Sequence, residues 1–210
     1  LEQATNLFRA TRRLEDLESL WRDFLEQNPD HPMVLRGVAE LSKLLSRAKK
    51  QDEARKMLAE YALKEIHNTR SDYVEMLISQ LAGQFVPPRS FKKDAPQPDI
   101  EEVERELAAA LEVPEETRSP AYLARLSFAK AELARMMRNP ARNELHLNAI
   151  AASASPDDLG PVMLSIVGQF LIDTKQYDKA VPCFTRLRDA FPQSPFSDAA
   201  PVGLGTIALE

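Results

Sequence analysis

Apolar residues return along this chain with the period of an α-helix. Val74, Leu77, Ile78, Leu81, Ala82 and Phe85 stand at i, i+3, i+4, i+7, i+8 and i+11, one continuous apolar face. Ile100, Val103, Leu107, Ala108 and Leu111 repeat it, and so do Tyr122, Leu126, Ala129, Leu133 and Met136. No stretch sustains the period-two alternation of a half-buried strand, and the chain has only six glycines. The pattern predicts an all-α chain.

The breaks have physical causes. Asn28 to Pro32 cannot continue a helix, because Pro29 and Pro32 lack an amide donor and bias the residues before them away from helical dihedrals. "SRAKKQDE" (Ser46 to Glu53) and "HNTRSD" (His67 to Asp72) read as polar turns, with Ser71 or Asp72 as an N-cap. Ser119-Pro120 and Ser155-Pro156-Asp157-Asp158 read as helix starts, with Ser as cap and Pro in the first helical position. One connector is longer: "VPPRSFKKDAPQPD" (Val86 to Asp99) carries four prolines and predicts an extended loop within a hairpin. Helices joined by short turns predict hairpins stacked in series.

The segment from Pro161 to Pro195 places Leu164, Val167, Gly168, Leu171, Ala180, Phe184, Leu187 and Pro192 at fixed intervals. It resembles the tetratricopeptide repeat (TPR), in which small residues let two antiparallel helices approach, aromatics fill the gap between repeats and a proline closes the second helix. "CFTRLRDAFPQSP" is answered near the start by "LWRDFLEQNPDHP": each has an aromatic eight positions before a proline and a second proline three positions later. Val38, Leu41, Ser42, Leu45, Ala54, Leu58 and Tyr61 occupy the same slots, and Leu17 to Ala54 (54 − 17) and Gly168 to Gly205 (205 − 168) both span 37 positions. The resemblance implies a single domain over 1–210, an α-α superhelix (solenoid) of about five TPR-like hairpins with the first and last truncated. The units are 1–32, 33–71, 72–118 with the insertion at 86–99, 119–155, 156–194 and a partial unit at 195–210. "GLGTIALE" reads as the first helix of a further repeat, so the chain is expected to be part of a larger protein. "FPQSPFSDAA" resembles the extended repeats of bacterial envelope proteins, which implies a bacterial source and leaves the compartment open between cytoplasm and periplasm or cell envelope.

Charge narrows the function. Lys and Arg number 27 against 32 Asp and Glu, a net charge of -5, so no global basic field invites nucleic acid. With 7% aromatic residues, repeat-type RNA binding also lacks its stacking platform. No apolar run approaches the roughly 18 to 20 residues that span a bilayer, so no direct membrane insertion is expected of this segment. A single cysteine, Cys183, excludes an internal disulfide framework.

Nothing in the chain assembles into recognisable chemistry. His31, His67 and His146 fall in three different units, the first two in turns; Glu144 is two positions from His146 and shares no helix face with it. Cys183 reads as a small core thiol. Gly203-Leu204-Gly205 follows no strand, and Asp157-Asp158 suits helix-start electrostatics better than a metal. The expectation is a non-enzyme, with no catalytic residue, cofactor or metal.

In the family that the chain resembles, the first helices of successive repeats line a concave groove. Arg36, Lys43 and Arg47, at i, i+7 and i+11, stand on one face of such a helix, and Asn6 and Arg9 of the preceding unit join them in a locally basic groove suited to an acidic segment. Glu40 interrupts the row. It also falls where chaperone-binding members would carry an asparagine, so a cochaperone is not expected although Asn6 resembles one such asparagine. In the C-terminal unit the corresponding face is Val162, Ser165, Gln169 and Ile172, uncharged, with Gln169 as its polar contact. The expected partner is another protein or peptide, the expected state a monomer or weak dimer. The alternative is a structural or regulatory segment of a larger enzyme or envelope assembly machine, packed in cis.

Overall fold

The computed structural model describes residues 1–87 and 99–210. Those residues form eleven α-helices and no strand: α1 (Glu2–Ala10), α2 (Leu14–Gln27), α3 (Val34–Arg47), α4 (Gln51–Lys64), α5 (Asp72–Phe85), α6 (Ile100–Ala110), α7 (Pro120–Met136), α8 (Pro140–Ser153), α9 (Pro161–Asp173), α10 (Tyr177–Ala190) and α11 (Ala199–Ala208). Most of the proline-rich connector expected between α5 and α6 lies outside the described residues. No described helix is long and apolar enough to cross a membrane.

Local chemistry sets many boundaries. Ser71, Asp99, Ser119 and Asn139 each accept a first-turn amide of the helix they precede, from Tyr73, Glu101, Tyr122 and Arg142 respectively. Pro120 and Pro140 stand at the first helical position, where a missing N–H costs nothing. One expected start is displaced. Ser155 to Asp158 forms a single 3-10 turn, in which the Ser155 amide donates to Asp158 at 3.0 Å, and α9 begins only at Pro161.

Four turns share one geometry. Arg12, Lys49, Arg138 and Lys175 adopt left-handed φ of 56°, 61°, 60° and 59°, each at the end of one helix and just before the next. In each, the following amide reaches back five residues: Arg13 to Phe8, Lys50 to Leu45, Asn139 to Ala134 and Gln176 to Leu171, at 2.7 to 2.9 Å. This is the Schellman closure, which satisfies carbonyls that a helix end leaves orphaned. The turns recur at 37 positions (49 − 12 and 175 − 138). Lys49 and Arg138 are 89 positions apart (138 − 49), two such periods plus 15. One period after Lys49 falls at Val86, where the long connector starts.

Consecutive helices pack as neighbours, and α3, α5 and α7 run parallel. Ser42 and Ser46 of α3 donate to Gln80 and Gln84 of α5 at 2.8 and 3.1 Å. Along α5 and α7, Glu75 faces Arg125, Ser79 donates to Glu132 at 2.5 Å, and Gly83 lies against Met136. Stacking is not strictly successive: α5 also touches α9. The core runs through the whole array, with Trp21, Leu45, Leu58, Ile78, Leu107, Phe128 and Leu164 among its members. Near the C-terminal end the Phe184 ring lies close against two glycines. A methyl at Gly168 of α9 would come within 2.8 Å of the ring, and one at Gly203 of α11 within 2.5 Å.

The reach of α9 back to α5 is polar. Glu75 and Arg125 are both fully buried, with Arg125 Nη2 3.4 Å from Glu75 Oε1. Glu75 accepts the Met163 amide at 3.1 Å and also the amides of Val162 and Gly160, so its carboxylate closes the N-terminus of α9. Arg125 donates to the Ile66 and Asn68 carbonyls, each at 2.6 Å. Burial pushes the Glu75 carboxyl up to about 7, and Arg125 and the three amides oppose that push.

Replacing Arg125 with Met strands Glu75 and the two carbonyls, so unfolding in urea is expected to show a loss of about 3 to 5 kcal/mol. Adding Glu75→Leu to that variant should recover part of it, because no buried charge is then left alone. The wild type should also lose stability with pH. A carboxyl whose folded value is raised contributes fully below its ordinary 4.5, and the contribution is lost as pH rises through about 7. Urea midpoints across that window should fall in the wild type and stay flatter in the double variant.

Candidate functional site

The α1–α2–α3 corner holds a cavity that joins residues of the expected groove. It encloses about 180 Å³ and is lined by Thr5, Asn6 and Arg9 of α1, Trp21 of α2, and Arg36 and Glu40 of α3. Trp21 belongs to the apolar face of α2 and packs edge-on to Phe24, with ring centroids 5.8 Å apart. It can lie flat on α3 because position 37 is glycine: a Cβ there would already stand 3.0 Å from the indole. Thr5 is on the buried side of α1.

Two donors of the residues lining this cavity lack an acceptor among the described residues. Trp21 Nε1 and Thr5 Oγ1 are buried, in residues 2% and 5% exposed, and neither has a hydrogen-bond partner there. An indole N–H can only donate, and leaving it unmet inside a protein costs about 1 to 3 kcal/mol. Glu40, the one carboxylate that lines the cavity among the described residues, is already taken, since it binds Arg9 and also accepts Lys43 at 3.3 Å. Arg9 and Lys43 both pair with Glu40, and Arg36 lines the cavity beside them. The two donors suit a group that brings acceptor oxygens.

The residues expected to share a groove are thus partly assembled. Asn6, Arg9 and Arg36 meet at the cavity, and Lys43 joins through Glu40. Arg47 is at the last turn of α3, outside the cavity. Gln169 also lies outside the cavity, on α9, and donates to Asp173 at 2.8 Å. Its expected companions Val162 and Ile172 are 7% and 8% exposed, core residues and not a groove surface, because that side of α9 faces its neighbours.

Other polar clusters are joints. Glu104 of α6 receives Arg142 of α8 and lies 2.8 Å from His146 Nε2, while Arg142 also reaches Glu101 at 3.2 Å. Burial would raise Glu104, but Arg142 and His146 outweigh it and hold the carboxyl below its ordinary range. His146 therefore pairs across 42 positions, a contact that local spacing could not reveal. His67 Nδ1 meets Ser119 Oγ at 2.8 Å, between two inter-helix linkers. Among the described residues no group of three or more His, Cys, Asp and Glu is placed to hold a metal ion. Cys183 is buried at an apolar cavity of about 220 Å³ with Ile150, Leu159, Val167 and Leu171, and burial pushes its thiol up to about 11.

No protein-family model, curated protein or solved structure matches the chain.

The thiol offers a direct check on the packing around that second cavity. Held protonated and covered, Cys183 should react with a disulfide reagent at neutral pH roughly tenfold or more slowly in the folded protein than in urea. Equal rates in the two states would mean that the α9–α10 packing is open.

Proposed function

We propose that this chain is a protein-interaction scaffold, a TPR-like helical array whose first three helices grip an acidic segment of a partner protein or peptide. The carrying observation is the pair of buried, unpartnered donors, Trp21 Nε1 and Thr5 Oγ1, at a cavity rimmed by Arg9 and Arg36. A partner carboxylate would accept from them and be screened by the cations at the rim, and Lys43 and Arg47 would extend the contact along α3. The repeat reading is supported by the four Schellman turns, two pairs of them spaced by 37, and by the parallel run of α3, α5 and α7. No catalytic step is assigned to the chain.

A second reading, a segment that packs in cis against another domain, has one observation behind it. Helix α11 buries Ala200 and Gly203 against its neighbours but leaves Val202 67% exposed.

Trp21 is the only tryptophan, so its indole reports on the cavity alone. Titration with a glutamate-rich peptide is expected to shift the single indole N–H resonance and the fluorescence saturably. Charge reversal at Arg36, Lys43 and Arg47 should weaken that binding roughly tenfold or more. Trp21→Phe should keep the fold and weaken binding, by the loss of one hydrogen bond to a charged group, about 1.5 to 3 kcal/mol. An indole resonance indifferent to acidic peptides of varied sequence would sink the proposal.

A further inference from the structure

The two ends of the helical array carry opposite charge. The four Schellman turns, 11–13, 48–50, 137–139 and 174–176, lie where the odd-numbered helices finish, and α3, α5 and α7 run parallel, so these turns face one way. They hold six cations, Arg12, Arg13, Lys49, Lys50, Arg138 and Lys175, and no carboxylate. The linkers at the other end, 28–33, 65–71, 111–119, 154–160 and 191–198, hold eight carboxylates: Asp30, Glu65, Glu112, Glu115, Glu116, Asp157, Asp158 and Asp198. Only Arg70 and Arg118 offset them.

Helix dipoles do not demand this division. Every turn joins the C-terminus of one helix to the N-terminus of the next, so the two ends of an up-and-down array present the same mixture of partial charges. Nor does backbone geometry, because the left-handed position is better filled by glycine or asparagine than by Arg or Lys. The four left-handed side chains Arg12, Lys49, Arg138 and Lys175 lie at the surface, and among the described residues none makes a side-chain hydrogen bond or ion pair. Most other cations among the described residues do have partners, including Arg13 with Asp16 at 2.6 Å and Lys50 with Glu18 at 2.8 Å. The linkers of the acidic end are cross-braced by His67 to Ser119, Arg125 to Ile66 and Asn68, and Ser194 to Asp72. The basic end has self-closed turns with cations left over.

We propose that this basic edge is a docking surface for an anionic phospholipid headgroup layer, held by phosphate contact and without insertion of a helix. The twelve turn residues contain no aromatic side chain, so there is no platform for stacking nucleic-acid bases. They contain no apolar cluster either, which a protein interface would use as its centre. Leu14, 42% exposed, stands next to Arg13, and half-buried Met137 next to Arg138, scattered apolar side chains at the level of the cations, as suits a headgroup boundary. Spread over four turns, the charge matches a broad plane better than one groove, and the acidic end would be repelled to point away from it.

Flotation with vesicles of phosphatidylcholine alone, and of phosphatidylcholine with about one-third phosphatidylserine, tests this. The intact chain is expected to float with the anionic vesicles at low salt, and not with the neutral ones or at high salt. R12N/K49N/R138N/K175N removes four of the six cations, those without a partner among the described residues, while keeping a residue type that tolerates left-handed backbone, so its helicity should be unchanged and its partitioning should fall roughly tenfold or more. W21F, which weakens the groove without changing charge and lies away from the four turns, should float like the wild type, so the two sites fail separately. Equal flotation with neutral and anionic vesicles, or undiminished flotation of the asparagine variant, overturns the proposal. Removal of the protein from vesicles by duplex DNA at equal phosphate would overturn it in favour of nucleic acid.

Discussion

Glu75 and Arg125 decide how the second half of the chain meets the first. Each is fully buried, and each carries more than one duty. Arg125 divides its guanidinium between the carbonyls of Ile66 and Asn68, just past the end of α4, and Glu75. Glu75 faces Arg125 with one oxygen and the open amides of α9 with the other. Four parts of the chain, the α4–α5 linker, α5, α7 and the start of α9, are therefore fixed by two side chains. Neither charge would be tolerated in an apolar interior alone, since stripping water from an isolated ion costs several kcal/mol. Their hydrogen bonds make them compatible with the core, and they tie its two halves in one register. The same carboxylate explains a glycine: a methyl at position 160 would collide with it.

Away from that joint, the array is held by two different devices. Helix faces are held by fitted small residues. Gly37 admits Trp21, and Gly168 and Gly203 both admit the ring of Phe184, so ring and glycines substitute for the apolar interdigitation used elsewhere. Helix ends are held by polar contacts, and unequally. At the acidic end, linkers bond to one another or to distant helices; at the basic end, each turn closes on its own backbone, and Lys50 adds a pair with Glu18 of α2. An insertion is most easily accommodated where turns have few outside contacts, and the long connector between α5 and α6 begins at that end.

How much of this can be read in advance depends on the range of the interaction. The apolar stripes of α5, α6 and α7 are legible because a helix face is written in residues three and four apart. So is the tight fit of Gly168 to Phe184, which a spaced small residue and aromatic imply. Arg125 can be singled out, since it stands four before Ala129 and eight before Leu133, a cation in the middle of an apolar stripe. Its partner cannot, because Glu75 is 50 positions away and nothing local distinguishes it from a solvated acid. Glu104 and His146, 42 apart, are invisible for the same reason. Position on a repeat also misleads: Val162 and Ile172 occupy slots that suggest a groove, yet α9 turns them into the core. In the groove itself, spacing can group Asn6, Arg9 and Arg36. It cannot show that Trp21, an apolar residue by pattern, keeps its N–H without an acceptor.

The cavity at Trp21 and the buried ion pair lie on different sets of helices. The cavity belongs to α1, α2 and α3, whereas the ion pair belongs to α5, α7 and α9. Between them, α3 meets α5 through packed apolar residues and the Ser42–Gln80 and Ser46–Gln84 hydrogen bonds. Each such neutral bond contributes only about 0.5 to 1.5 kcal/mol, far less than the cost of breaking a buried charged joint. A segment bound at Trp21, as proposed, would therefore load the first three helices and leave the register of the rest to the buried pair. Division of labour follows from the placement of polar groups: a paired and buried charge specifies the fold in the middle of the chain, and the donors without an acceptor among the described residues lie apart from it, at one corner.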